Sequence, residues 1–369
     1  MNKELHNNQR IFGLDVVRAT AIILVLFSHL YYLVDATHPS LIALSGLAGF
    51  AGVELFFVLS GFLIGTILLK MFLTSSFSKE EVLVFLKRRW FRTLPAYYLV
   101  LFLNIGLALY FGYPMEGWWR YVFFLQNFSS YHIVIFTESW SLSVEEFTYI
   151  LSPLLLFFVA KFVKWNRKLL FLWLSIGLLL VFTILRYIYY LNSTINDMEV
   201  WNLNIKSIVV YRVDAIITGF VIAWVHYFYS AYLKRYSVYF FIIAVHLFFL
   251  QFIVFNVYGF DIHTKPLYFR VFYFTFSSFT FALCLPVFIY WKKANVLFTN
   301  VIQFISKISY SMYLLHYSII AVLVKSVLIN VSFFVPKFII VISYLFITTG
   351  LSYILYRFYE KPMMYLREK

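Results

Sequence analysis

The sequence predicts an all-α integral membrane protein, a bundle of about ten transmembrane helices with both termini in the cytoplasm. Three observations carry this prediction. Of 369 residues, 63% are hydrophobic and only 12% charged. Apolar runs of about 20 residues, the length that crosses a hydrocarbon core, recur along the chain. The basic residues sit in short clusters between those runs. A mean hydropathy of +0.85 lies far outside the range of soluble domains.

The runs fall near 14–33, 46–69, 95–113, 142–162, 169–190, 209–229, 238–258, 268–290, 308–329 and 337–356. The opening stretch MNKELHNNQR leads into the first without a small-residue cleavage site, so that run reads as a retained span and not a signal peptide. Alternating the connections across the bilayer puts 21 of the 30 Lys and Arg on one side, from Lys3 and Arg10 through Lys87, Arg88, Arg89 and Arg92 to Arg367 and Lys369. The positive-inside rule makes that side cytoplasmic. The formal net charge of +14 is therefore topology, and nucleic acid is not an expected partner.

Connections are short, with no repeat or low-complexity segment, so residues 1–369 read as a single transmembrane domain without an appended extracytoplasmic one. Any chemistry then belongs inside the bundle or at its mouths. The single cysteine, Cys284, excludes an internal disulfide or a thiolate metal cluster and reads as a structural thiol. Aromatic residues make up 23% of the chain, and Trp118, Trp119, Trp140 and Trp201 near expected outer boundaries read as interfacial belt and packing.

Ionisable residues inside apolar runs are costly in lipid and point to function. Arg18 and His29 in the first run are 11 positions apart, three helical turns plus about 20°, so they share one face about 16 Å apart along the axis. Asp15 lies one turn before Arg18 and is placed to hold its guanidinium. Taken singly, Arg18 also fits a snorkelling anchor and His29 a core histidine. Glu54, in GVELFFVLSGFLIG of the second run, reaches a depth similar to that of His29 and would orient its imidazole, making His29 a general base. A helix-to-helix hydrogen bond serving assembly is the bland reading of Glu54.

The most basic segment, FLKRRWFRTLP, places Arg88 and Arg92 at i and i+4 on a short helix expected to end near Pro95. Two guanidinium groups on one face suit phosphate, with anionic lipid heads the alternative ligand. Glu145, in WSLSVEEFTYILSP, and Arg212 with Asp214, in YRVDAIITG, fall at the expected outer ends. Arg212 and Asp214 are two positions apart and do not face each other, so each is expected to pair elsewhere. His316, in ISYSMYLLHY, is placed near mid-bilayer, where packing and channel lining fit equally well.

LDVVRATAIILVLFSHL, GVELFFVLSGFLIG, RRWFRTLPAYYL, WSLSVEEFTYILSPLLL, YRVDAIITGF, ISYSMYLLHY and YRFYEKP resemble, in order, the sequence blocks of the acyltransferase 3 family of membrane acyltransferases. The resemblance implies about ten membrane helices and transfer of an acyl group, usually acetyl, from cytoplasmic acyl-CoA to cell-surface or exported carbohydrate such as O-antigen or peptidoglycan. By the same resemblance Arg18 and His29 are the essential pair, Arg88 and Arg92 coenzyme A contacts, and Glu145 a recurring acidic residue. The chain departs from the common pattern in having one histidine after Ser28 where many members have two, and Glu54 where Asp is frequent.

The sequence thus leads to a membrane O-acyltransferase of the bacterial inner membrane with His29, Glu54 and Glu145 as catalytic residues. Arg18, Arg88 and Arg92 are expected to hold the acetyl-CoA or other acyl-CoA donor. Asp15, Arg212, Asp214 and His316 are expected to contact substrate or support those residues. No metal is expected. The expected partners are membrane lipid, a free or lipid-linked carbohydrate acceptor and a separate extracytoplasmic transferase. A polysaccharide exporter or flippase that transfers no acyl group is the competing class, and a non-catalytic assembly component is a third.

Overall fold

The computed structural model describes residues 10–34, 38–74, 77–132, 134–195, 197–328 and 336–366. Lys3, Arg367, Lys369 and the outer end of the ninth apolar run at position 329 lie outside the described residues. Among those described, the chain is helical throughout its ordered elements and holds no strand. In lipid this is the economical solution, because a helix satisfies its own backbone polar groups.

Nine helices among the described residues are long and apolar enough to cross a membrane: α1 (Phe12–Val34), α2 (Pro39–Leu73), α3 (Lys79–Phe111), α4 (Thr137–Phe162), α5 (Arg167–Asn192), α7 (Ser237–Val257), α8 (Tyr268–Ile289), α9 (Val296–Val327) and α10 (Lys337–Leu366). The span expected over 209–229 is the shorter apolar helix α6 (Val213–Phe228), with 16 residues. At 1.5 Å per residue α6 is about 24 Å long, less than a full hydrocarbon crossing.

The helices also run further than the apolar runs. α3 begins at Lys79 and continues unbroken through Pro95, so the short helix expected to end there is not a separate element. Proline costs the ladder bond to the Phe91 carbonyl, four residues back, yet the helix continues past it to Phe111. α9 likewise starts 12 residues before its apolar run, at Val296, and changes from α to a wider π turn at His316–Ala321.

α2 is the central post, packed most extensively against α6 and α1. Small residues allow that approach, as they do generally between membrane helices. A Cβ on Gly61 would stand 1.9 Å from the Ile216 carbonyl oxygen, and one on Gly219 2.4 Å from the Phe62 nitrogen. The two glycines face each other, backbone against backbone. Phe57, Leu68, Leu69 and Phe72 of α2 fill the main core with Ile22 of α1, Tyr97 of α3 and Ile216 of α6. Trp201, expected in the interfacial belt, is a core residue that donates its indole N–H to the Phe269 carbonyl at 2.9 Å.

Candidate active site

Five helices, α1, α2, α3, α4 and α9, enclose a cleft of about 880 Å³ including its mouth. Arg18 from α1, Arg89 and Arg92 from α3 and Glu145 from α4 supply its charge, and Ser60, Tyr149, Ser141 and Tyr313 its hydroxyls. Val53, Phe56, Phe57, Leu63 and Ile64 of α2 give it an apolar wall. One end is therefore cationic and suited to phosphate, while the interior suits a mostly apolar arm.

Helix geometry decides which arginines reach the cleft. With 100° per residue, Arg92, Arg89 and Thr93 span an arc of about 100° on α3, and Arg88 falls about 40° outside it. Arg88 is exposed away from the cleft. The expected Arg88–Arg92 fork is thus replaced by Arg89 and Arg92, because α3 keeps a single helical phase through Pro95. Glu145 and Glu146 divide their work in the same way. Glu145 faces the cleft with Arg18 and Arg92 instead of the outer end, whereas Glu146 accepts from the Thr93 hydroxyl at 2.7 Å and ties α4 to α3.

Arg18 lies 3.8 Å from Asp15, as its spacing predicted. The closer partner of Asp15 is Arg10, whose guanidinium donates to both carboxylate oxygens at 2.5 and 2.8 Å. Ser306 of α9 donates to Asp15 at 2.7 Å and completes the cluster. Asp15 is thereby held on two other sides, which leaves the Arg18 guanidinium available to the cleft.

Beyond the end of the cleft formed by Ser141 and Tyr313 lie two imidazoles. His29 Nδ1 is 3.2 Å from His316 Nε2, and their ring centroids are 4.9 Å apart in an edge-to-face arrangement. The π turn that begins at His316 turns this side chain from α9 towards α1, a use to which such turns are often put. Both tautomers follow from the partners. His316 Nδ1 is 2.8 Å from the Tyr313 carbonyl and His29 Nδ1 is 3.0 Å from the Val25 carbonyl. A carbonyl oxygen only accepts, so each Nδ1 carries its hydrogen. His316 Nε2 then holds a lone pair aimed at the N–H of His29. The free lone pair of the couple is His29 Nε2, the position a general base or nucleophile needs.

Glu54 does not take part in this arrangement, contrary to the sequence expectation. Its carboxylate is ion-paired with Arg212 and accepts from Ser278 at 2.8 Å, which occupies both oxygens. The physical reason is azimuth: Glu54 faces Arg212 and α8 while His29 faces α9. Asp214 pairs with Arg186 at 2.7 Å and accepts from Thr275 at 3.0 Å. As spacing predicted, Arg212 and Asp214 pair elsewhere, yet all four of these charges are buried and none lines an outer mouth. They brace α2, α5, α6 and α8.

Sequence reasoning overlooked Arg186, although an arginine within the fifth apolar run was a visible signal. It also overlooked Arg89, next to Arg88 in the same cluster, and the pair Tyr313 and Ser141, which no local spacing marks. Lys206 is a further case. It follows α5 in the connection to α6, half-buried, with its ammonium 5.9 Å from the Trp140 ring. Burial and the charge of Arg212 push the Lys206 ammonium down to about 8, against the opposing pull of Glu54, and its charge acts on His29.

Comparison with known proteins gives a consistent picture. The model of a family described as "Acyltransferase domain" matches residues 11–357. The O-acetyltransferase OatA of Staphylococcus aureus (strain NCTC 8325 / PS 47) is 29% identical over 172 residues, covering 42% of this chain and 26% of that protein. The peptidoglycan O-acetyltransferase OatA of Listeria monocytogenes is 28% identical over 186 residues, covering 45% of this chain and 27% of that protein. The match thus spans about a quarter of the length of these curated relatives. No solved structure matches the chain.

Proposed function

The chain belongs to the acyltransferase 3 family, and from that premise we propose that it is a membrane O-acyltransferase, moving acetyl from cytoplasmic acetyl-CoA to a carbohydrate of the bacterial cell envelope. The observation that carries this reading is the alignment of a cationic cleft with a histidine couple whose free lone pair is on His29 Nε2. With α6 and the turn before it completing a tenth crossing, the bundle lies in the inner membrane with both termini in the cytoplasm, so Arg18, Arg89 and Arg92 face the pool of coenzyme A. Their guanidinium groups hold the phosphates, and the pantetheine arm follows the apolar wall of α2 towards Tyr313.

The transfer needs one base. His29 Nε2 takes the proton of an acceptor hydroxyl as that oxygen attacks the thioester carbonyl. The C–S bond breaks, and the thiolate of coenzyme A takes the proton from the imidazolium. Passage through an acyl-His29 intermediate uses the same nitrogen as nucleophile. Glu145, beside Arg18 and Arg92 in the cleft, limits the excess of positive charge there when the donor has left. The acceptor is a peptidoglycan-type glycan, as the names of the relatives suggest. It is reached directly or through a separate extracytoplasmic transferase.

Purified protein in lipid nanodiscs should release coenzyme A from acetyl-CoA in the presence of envelope glycan. His29→Ala protein with an unchanged unfolding temperature should not. A folded His29→Ala variant that keeps the full rate sinks the assignment, and glycan transport without release of coenzyme A assigns the chain to an exporter instead.

A further inference from the structure

The cleft and the histidine couple do not share an open space: neither His29 nor His316 lines the cleft. Between them stands the ring of Tyr313. Its hydroxyl donates to the Glu138 carbonyl at 3.0 Å and is 2.6 Å from the Ser141 hydroxyl, so both contacts tie α9 to the start of α4. Phe56 of α2 meets the same ring edge-to-face at 6.1 Å. On the far side the His316 ring is 5.7 Å away. The residues Tyr313 and His316 are three apart, an axial rise of about 4.5 Å. The partition is one aromatic ring thick, fixed by side chains of three helices.

We propose that Tyr313, with Phe56 beside it, is the residue pair that sets acyl-chain length, admitting a two-carbon acyl group to His29 and stopping longer chains in the cleft. This rests on the acyltransferase reading above and adds the donor class to it. Beyond its carbonyl a two-carbon acyl group carries one methyl, whereas a six-carbon group carries five carbons into the space that the Tyr313 and Phe56 rings occupy. A chain of six carbons needs the ring itself to move, which breaks two hydrogen bonds and an aromatic contact. The backbone carbonyl of Tyr313 anchors His316 Nδ1 whatever side chain the position carries, so chain-length selection and imidazole orientation separate on substitution.

The test is the ratio of coenzyme A release from hexanoyl-CoA to that from acetyl-CoA, with one acceptor glycan, in nanodiscs. In Tyr313→Ala this ratio should rise roughly tenfold or more over the wild type, the scale of discrimination by a few methylenes in an apolar pocket. Tyr313→Phe keeps the ring but loses both hydroxyl contacts, and its ratio should fall between those of the wild type and Tyr313→Ala. Phe56→Ala carries the same expectation as Tyr313→Ala from the other side of the partition and serves if the latter does not fold. Folded variants whose ratios equal that of the wild type overturn the proposal while leaving the acyltransferase reading intact. A wild-type protein that releases no coenzyme A from acetyl-CoA overturns both.

Discussion

His316 Nε2 stands 3.2 Å from His29 Nδ1, joining the ninth helix to the first through a neutral imidazole that only accepts at that nitrogen. Tyr317 covers the other side of the His29 ring at a centroid distance of 4.2 Å. The imidazole is therefore held by the Val25 carbonyl of its own helix and by His316 and Tyr317 of the ninth. This is the work an acidic residue does for histidine in hydrolase triads, done here without a charge.

His316→Phe removes one of the two acceptors at His29 Nδ1 and leaves the ring held only from its own helix by the Val25 carbonyl. The expected result is a loss of kcat on the order of 10²-fold with KM for acetyl-CoA little changed, because the arginines of the cleft are untouched. His316→Gln can offer a side-chain oxygen to the same N–H and should recover part of the rate. Steady-state release of coenzyme A in nanodiscs measures both, and equal rates for the Phe and Gln variants would rule out the orienting role.

Donor binding should divide the basic cluster of α3. Arg89→Ala and Arg92→Ala each remove a guanidinium from the cleft, and each should raise KM for acetyl-CoA about tenfold or more, the scale of one charge-assisted hydrogen bond. Arg88→Ala lies outside the lining and should leave KM near the wild-type value. The salt dependence of KM should flatten in the first two only. A rise in KM for Arg88→Ala equal to that of the others contradicts the helical phase assigned to this segment.

How far the sequence disclosed this site depends on the kind of information a membrane helix carries. The order of the apolar runs and the separate pairing of Arg212 and Asp214 are local to the sequence, and both appear in the structure, the runs as nine long helices and one shorter helix among the described residues. The partners of Glu54 and His316 are not local, because they depend on how two helices are rotated against each other. A soluble helix reveals its rotation by a polar face. α2 is apolar almost all round, so nothing in its pattern says whether Glu54 looks at α1 or at α6. The same silence hid the partition at Tyr313, a contact among residues 56, 138, 141 and 313 that no local spacing encodes.

The pair Glu54–Arg212 yields a stability prediction opposite in kind to a catalytic one. Both side chains are buried, and Arg212 also lies 4.1 Å from the Phe274 ring centroid. Glu54→Leu leaves the guanidinium buried without its counter-charge and should destabilise by about 3–5 kcal/mol. Glu54→Leu combined with Arg212→Met removes both charges and should recover most of the loss. Thermal unfolding in nanodiscs measures the cycle. If the double variant is no more stable than Glu54→Leu, the pair is not the brace described here.

Lys206 supplies a pH signature. Its ammonium is pushed down to about 8 in the folded protein by burial and by Arg212, against 10.5 for an unperturbed lysine. Below about pH 8 the folded and unfolded chains both hold this proton, and the cost of the buried charge is fully present. Between about 8 and 10.5 the folded protein has released the proton and the unfolded chain has not, so stability rises with pH through that window. Lys206→Met removes the group altogether. It should unfold at a higher temperature than the wild type at pH 7, and the difference should shrink steadily from about pH 8 to about pH 10.5. Arg212 and Glu54 are the charged groups that act on Lys206. Unfolding temperatures on one set of nanodisc samples test this. A temperature difference that stays constant from pH 7 to 10.5, or a variant less stable than the wild type at pH 7, means that the Lys206 charge is not strained by its surroundings.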